Sequence, residues 1–277
     1  MPELPEVELV TRNLDRLLKG RRIVQAKLIR AGLAPHNSQR QFALWLRNGR
    51  IESVVRRGKH ILIALDNGKV LIVHLRMSGR FLSISPGSVL PKHTHATFLL
   101  DDRRLLVFTD QRHFGMMKIV LKERLFEAKE LSRLAPEPFS DQFSVEYLYA
   151  VLRRSRRALK ETLLDQTKVT GLGNIYAVEA LFRARIHPSK ISATLARKRV
   201  PLLHSSILEV LSEAISRITS MNIDMENIDG VYFSGSSDER WRVYDREGER
   251  CVECSSLIRR IKHAGRSTYF CPRCQHR

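Results

Sequence analysis

Apolar residues fall at helical spacing over residues 3–18, where Val7, Val10, Leu14, Leu17 and Leu18 share one side. Pro5 can occupy the first turn, where its missing N–H costs nothing, and Gly20 supplies a stop. From residue 22 to 120 the pattern shortens. Segments 51–57, 60–65, 69–75, 79–84, 95–100 and 104–109 are short and rich in Val, Ile and Leu. The turn formers Asp66-Asn-Gly68 and Asp101-Asp-Arg103 separate two pairs of them. This spacing predicts an antiparallel sandwich or barrel.

Beyond about residue 122 the period becomes helical again, over 145–152, 158–165, 175–182 and 201–218. Leu134-Ala-Pro-Glu-Pro-Phe139 reads as a linker, and Gly171-Leu-Gly-Asn174 breaks two helices into a helix–glycine turn–helix unit. Residues 222–245 have no clear period and are expected to be a loop, and 246–277 form a small cysteine-bearing tail. The expected class is α+β in several parts: 1–133, 134–222, 223–245 and 246–277. No internal repeat is present.

Charge narrows the partners. Among 277 residues, 48 Lys and Arg face 29 Asp and Glu, a formal excess of +19. A potential of that size attracts polyanions, nucleic acid first, with a plain basic surface or acidic lipid as the alternatives. Apolar and charged shares of 43% and 28% are those of a globular chain. No run of 18 apolar residues exists, so no membrane span is expected. MPELPEVELV carries acids where a secretion signal carries bases, which points to the cytosol.

The tail reads Cys251-Val-Glu-Cys254, then 16 residues, then Cys271-Pro-Arg-Cys274. Two such pairs suit a tetrahedral Zn2+ site with four protein ligands and no open position, hence one structural zinc, with two disulfides or four unrelated thiols as the alternatives. So small a module has little core, and metal binding would supply its folding free energy. Arg259, Arg260, Lys262, His263 and Arg266 make the intervening hairpin basic.

At the other end, Met1 precedes a small residue, and its removal would leave Pro2 first. The Pro2 nitrogen would then be a secondary amine with a pKa of about 7.7–8, able to attack a carbonyl-like carbon. Its imine is necessarily a charged iminium, an electron sink for elimination. Glu3 and Glu6 stand beside it as acid/base groups or as helix N-terminal charges. Taken alone, these residues read equally as the start of a helix.

Read together, the pieces say more. MPELPEVE, Arg57-Gly-Lys-His60, His74-Leu-Arg-Met-Ser-Gly79, Asp110-Gln-Arg-His-Phe-Gly115, Leu164-Asp-Gln-Thr167, Gly171-Leu-Gly-Asn-Ile-Tyr176 and Arg266-Ser-Thr-Tyr-Phe-Cys271 occur in that order. The chain thereby resembles the bacterial formamidopyrimidine-DNA glycosylase family of the helix–two-turn–helix superfamily, from Pro2 to Gln275. The resemblance implies an N-terminal helix with a β-sandwich, a helix–two-turn–helix middle domain, a loop over the flipped base within 223–245, and a zinc hairpin. It implies Pro2 as nucleophile, Glu3 as acid/base, Lys59 beside the nucleophile, and Arg266 on the phosphates around the lesion. Met77, Arg112 and Phe114 match void-filling residues, although core packing is the alternative for Met77 and Phe114. His74, His93, Arg156 and Asn174 match contacts to the DNA backbone. A plain helix cap is possible for Asn174, and a satisfied strand histidine for His74.

The implied activity is removal of oxidised purines from duplex DNA, followed by β- and δ-elimination, by a monomer that joins the nucleoid when bound to DNA. One stretch departs from the family: Ser220-Met-Asn-Ile-Asp-Met-Glu-Asn-Ile-Asp-Gly230 and Val231-Tyr-Phe-Ser-Gly-Ser-Ser237 replace a Gly/Thr-rich run and a Gln-containing one. This leaves an oxidised-pyrimidine or abasic-site enzyme as an alternative. A non-catalytic binder of damaged DNA would not need Pro2, Glu3 and Lys59 together.

Overall fold

The computed structural model describes residues 1–219, 228 and 241–276. The elements run α1 (Leu4–Leu18), β1 (Ile23–Leu28), α2 (Gln39–Leu46), β2 (Ile51–Arg57), β3 (His60–Leu65), β4 (Lys69–His74), β5 (Gly79–Ile84), β6 (Thr94–Leu100), β7 (Leu105–Asp110) and β8 (Met116–Leu121). After them come α3 (Val145–Arg153), α4 (Leu159–Leu164), α5 (Asn174–Arg183), α6 (Val200–Thr219), β9 (Arg259–His263) and β10 (Arg266–Phe270). The chain divides into two compact units. Of the described residues, the first holds Met1–Ser132, 215–219 and Ile228, and the second holds Arg133–Ala214 and 241–276.

In the first unit, two antiparallel four-stranded sheets, ordered β1-β6-β7-β5 and β2-β3-β4-β8, form the expected sandwich. One core joins both sheets and α1: Leu14 and Leu18 from the helix, Ile61, Val73 and Met117 from one sheet, Phe81, Phe98 and Phe108 from the other. Burial of that much apolar surface is the main driving force for the unit. The helix predicted over 3–18 forms over Leu4–Leu18 and packs on β2. Three elements were not anticipated: β1, α2 and β8. Ser38 caps α2 by accepting from the Gln41 N–H at 3.1 Å, and β8 completes its sheet against β4.

The second unit is helical, with the β9–β10 hairpin packed on α5. Val178 and Phe182 of α5 share a core with Val243, Ile258 and Tyr269. The four predicted helices form as α3 to α6, each shifted by a residue or two at its ends. Of the loop expected over 222–245, only Ile228 and residues 241–245 are described. The atypical stretch at 220–237 therefore lies, but for Ile228, outside the described residues. Among the described residues, no helix is long and apolar enough to cross a membrane.

Candidate functional site

Pro2 and Glu3 are buried immediately ahead of α1. The Glu3 N–H donates to Glu6 Oε2 at 2.6 Å, which ties the first turn to the residues before it. Lys59 stands in the two-residue turn that joins β2 to β3 and is closed by the Arg57–His60 pair. A lysine on such a turn ordinarily extends into water. Here it is only 6% exposed.

The residue after it, His60, is the register partner of His74 on β4, and the two rings meet edge-on with centroids 4.7 Å apart. His74 Nδ1 accepts from the Arg76 N–H at 2.9 Å, so the neutral ring carries its proton on Nε2. Burial holds His60 down at about 4. His74 lies well below the ordinary imidazole range, first through burial and then through His60, Arg76 and Lys59.

Two further loops of this unit carry side chains that face solvent. Met77, between β4 and β5, is 39% exposed, and Phe114, between β7 and β8, is 54% exposed. The Arg112 guanidinium carbon sits 5.3 Å from the Phe114 ring centroid, a cation–π contact within one loop. Close packing sets the loop ends. A Cβ on Gly79 would meet the Leu75 carbonyl oxygen at 2.5 Å, and one on Gly115 would meet Phe108 Cζ at 2.9 Å. Asp110, fully buried at the end of β7, accepts from Ser78 Oγ, the Arg112 N–H and the Gly115 N–H. His93 is exposed, with a backbone φ of 61°. Its neighbour His95 is bonded to His113 of the Arg112 loop, Nε2 to Nδ1, at 3.0 Å.

In the second unit, Arg156 is exposed between α3 and α4. Gly173, not Asn174, caps α5; Asn174 is its first residue. Asn174 Nδ2 donates to the Ser267 carbonyl at 3.1 Å, and the buried Lys160 ammonium donates to the same oxygen at 3.2 Å and to Thr268 Oγ1 at 2.5 Å. Arg266, exposed at the start of β10, is thus the residue next to a clamped backbone. His263, its register partner, lies 3.2 Å from Glu161 of α4.

The sulfurs of Cys251, Cys254, Cys271 and Cys274 all lie within 4.8 Å of one another. Four sulfurs at about 2.3 Å from a tetrahedral zinc stand about 3.8 Å apart. The Cys251–Cys274 and Cys254–Cys271 separations are 3.9 and 3.4 Å, far longer than disulfide bonds. The Glu253 and Cys274 N–H groups each donate to a cysteine sulfur at 3.4 Å, as turns around bound thiolates do. The donor set fits one structural zinc.

No sequence motif marks Asp110, Lys160, His60 or Glu179 as a site residue. Glu179, on α5, is buried and accepts from the N–H groups of Arg242, Val243 and Tyr244 at 2.9 to 3.0 Å. Each of the four is a charged or titratable group in an apolar setting. That signal is visible in the sequence, but their partners depend on register and tertiary approach.

The family models that match are the formamidopyrimidine-DNA glycosylase N-terminal domain over residues 1–117, the H2TH domain of the same enzymes over 134–224, and the zinc finger found in FPG and IleRS over 248–277. The chain is 40% identical over 276 residues to the formamidopyrimidine-DNA glycosylase of Desulforamulus reducens, covering 99% of both. It is 38% identical over 277 residues to that of Streptococcus pneumoniae, covering all of both. Among solved structures it resembles the Lactococcus lactis enzyme bound non-covalently to DNA with an AP site, at a TM-score of 0.88 and 33% identity over 99% of this chain and all of that one. It also resembles the same enzyme in complex with DNA containing an oxidised pyrimidine, at 0.90 and 33% identity over the whole of both chains.

Proposed function

The chain belongs to the formamidopyrimidine-DNA glycosylase family, and on that premise we propose how its own residues carry the reaction. The protein is a DNA glycosylase of base excision repair, and its partner is double-stranded DNA with damaged bases or abasic sites. Pro2, freed by loss of Met1, attacks the anomeric carbon of the flipped nucleotide, and the base departs with its bonding electrons and a proton. The iminium left on the sugar draws electrons, so a proton leaves the neighbouring carbon and the two flanking phosphates are expelled in turn.

Glu3 opens the sugar ring and carries protons. The Lys59 ammonium disfavours a second positive charge nearby and so keeps more of the Pro2 amine neutral. Arg266 neutralises the phosphates that leave. His74, His93, Arg156 and Asn174 bind the backbone, His74 through a neutral Nε2–H. Met77, Arg112 and Phe114 fill the gap in the stack, with Arg112 hydrogen-bonded to the orphan base. Cys251, Cys254, Cys271 and Cys274 hold the zinc that folds the hairpin bearing Arg266.

The observation that carries this reading is the withdrawal of Glu3 and Lys59 from water, at 2% and 6% exposure. Burying ionisable groups is costly, so the withdrawal of these two from water marks them as candidates for a chemical role. A surface that only binds DNA needs its cations exposed. The reading places the enzyme in the bacterial cytoplasm, on the nucleoid when bound.

Oxidised purines, 8-oxoguanine and formamidopyrimidines are the proposed substrates, with 8-oxoguanine processed more weakly than is usual in the family. Telling it from guanine needs dedicated polar contacts, and the 220–237 sequence lacks the family's composition. Oxidised pyrimidines are a second reading, favoured by the Lactococcus lactis enzyme's complex with such DNA. Single-turnover cleavage of matched duplexes carrying each lesion or an abasic site tests the choice. Cleavage of oxidised pyrimidines with none at either purine lesion contradicts the substrate assignment.

A further inference from the structure

Asp110 is a buried acid to which the reaction above gives no task. Its side chain has no exposure, so it cannot touch DNA, yet it holds two loops at once. Ser78 Oγ donates to Oδ1 at 2.5 Å and the Gly115 N–H donates to Oδ2 at 2.6 Å. The Arg112 N–H is shared between Ser78 Oγ at 3.0 Å and Asp110 Oδ1 at 3.2 Å. Ser78 belongs to the turn that carries Met77, whereas Arg112 and Gly115 bracket Phe114. The two loops are distant in sequence and meet because β5 pairs with β7, with Gly79 opposite Asp110.

We propose that Ser78 and Asp110 are positioning residues that fasten the Met77 turn to the Arg112–Phe114 loop, so that the three side chains enter the duplex as one preorganised wedge. The proposal rests on the glycosylase reading. A wedge whose parts moved independently would lose conformational freedom on insertion, and prior fastening removes that cost. The seat is also tight, because side chains in place of Gly79 or Gly115 would collide with Phe108. Burial alone would raise the Asp110 pKa. Hydrogen bonds from Ser78, Gly115 and Arg112 outweigh it and hold the group below the usual carboxylate range, so the clasp is ionised at neutral pH. In a low-dielectric setting, bonds to a charged acceptor are the strong and rigid kind.

The test compares Ser78→Ala, Ser78→Thr, Arg112→Ala and the Ser78→Ala/Arg112→Ala double variant. Base flipping is followed by stopped-flow fluorescence of 2-aminopurine beside the lesion, and excision by single-turnover cleavage. Ser78→Ala should slow flipping about tenfold, the scale of one buried hydrogen bond, and lose more on a lesion duplex than on an abasic one. Ser78→Thr, which keeps the hydroxyl, should restore flipping. The double variant should be slower than Arg112→Ala alone by less than the factor Ser78→Ala costs by itself, because part of what the clasp positions is already gone.

Wild-type flipping by Ser78→Ala, or fully additive losses in the double variant, overturns the clasp while leaving the glycosylase reading intact. Asp110→Asn, checked for folding by its urea midpoint, gives the second arm; if folded, it should show the same lesion-specific slowing, and normal flipping overturns the proposal. Failure of the unsubstituted protein to form a borohydride-trapped adduct on any duplex overturns the underlying reading, and the clasp's role with it.

Discussion

At the residue scale, the role proposed for Arg112 separates flipping from bond breaking. Its guanidinium is exposed and packed on Phe114, and the proposed function gives it the orphan base and no part in the amine chemistry. Flipping costs a few kcal/mol of unstacking. Arg112→Ala should therefore slow lesion processing in duplex DNA by roughly tenfold or more, about 1.4 kcal/mol of lost stabilisation. Cleavage of an abasic sugar already outside the helix should fall less. Equal losses on the two substrates in single-turnover assays would reduce Arg112 to a phosphate contact.

His60 gives a second residue-scale prediction, for stability against pH. Its folded pKa is about 4 against an ordinary 6.5, so between these values the unfolded chain binds more protons. Stability due to the neutral ring is present above pH 6.5 and is lost as pH falls toward 4. The slope is up to about 1.4 kcal/mol per pH unit for one such group, and His74 acts in the same direction. Urea midpoints at pH 7.5 and 5 should fall less for His60→Gln than for the unsubstituted protein. An unchanged pH difference would mean that His60 is not held neutral by burial.

At the scale of elements, the zinc hairpin is the part whose folding depends most on one contact set. Removing the metal should unfold β9 and β10, release Arg266 and weaken DNA affinity, while the sandwich stays folded. Metal analysis should give one zinc per chain, and active protein with almost none would contradict the assignment. The hairpin also shows how far a sequence can be read. The two cysteine pairs announce it because ligand spacing is local. The bonds from Asn174 and Lys160 to Ser267 and Thr268 span about a hundred residues and leave no local mark.

The same distinction explains the sandwich. β3 and β4 are continuous apolar runs, buried almost throughout, and the sequence pattern marks both. By contrast β1 is interrupted by Gln25 and Lys27 and by a register shift, and α2 buries only Phe42 and Leu46. β8 is half-exposed and follows an irregular loop. Weak periodicity hid all three, although the Ser38–Gln41 capping box marks the start of α2 by rule. Among the residues proposed for the site, Pro2, Glu3, Lys59 and the solvent-facing Met77, Arg112 and Phe114 stand in sequence motifs. Nothing in the sequence marks Asp110 and His60 as site residues, since their contacts follow from strand register.

For the whole molecule, the excess of 19 positive charges sets how it finds DNA. Binding to undamaged duplex should weaken steeply as salt rises, because each neutralised phosphate releases condensed counterions. A flat salt dependence would contradict a phosphate-tracking surface. The central claim, however, is chemical. It is that the Pro2 nitrogen, free at the N-terminus, becomes bonded to the sugar.

Borohydride reduction during reaction with an abasic-site duplex, followed by mass analysis of the N-terminal peptide, tests this directly. An adduct on Pro2 is expected in protein lacking Met1. No adduct is expected, with DNA binding kept, when Met1 is retained or Pro2→Gly is introduced. Full trapping and strand cleavage by protein that still carries Met1 would contradict the central claim.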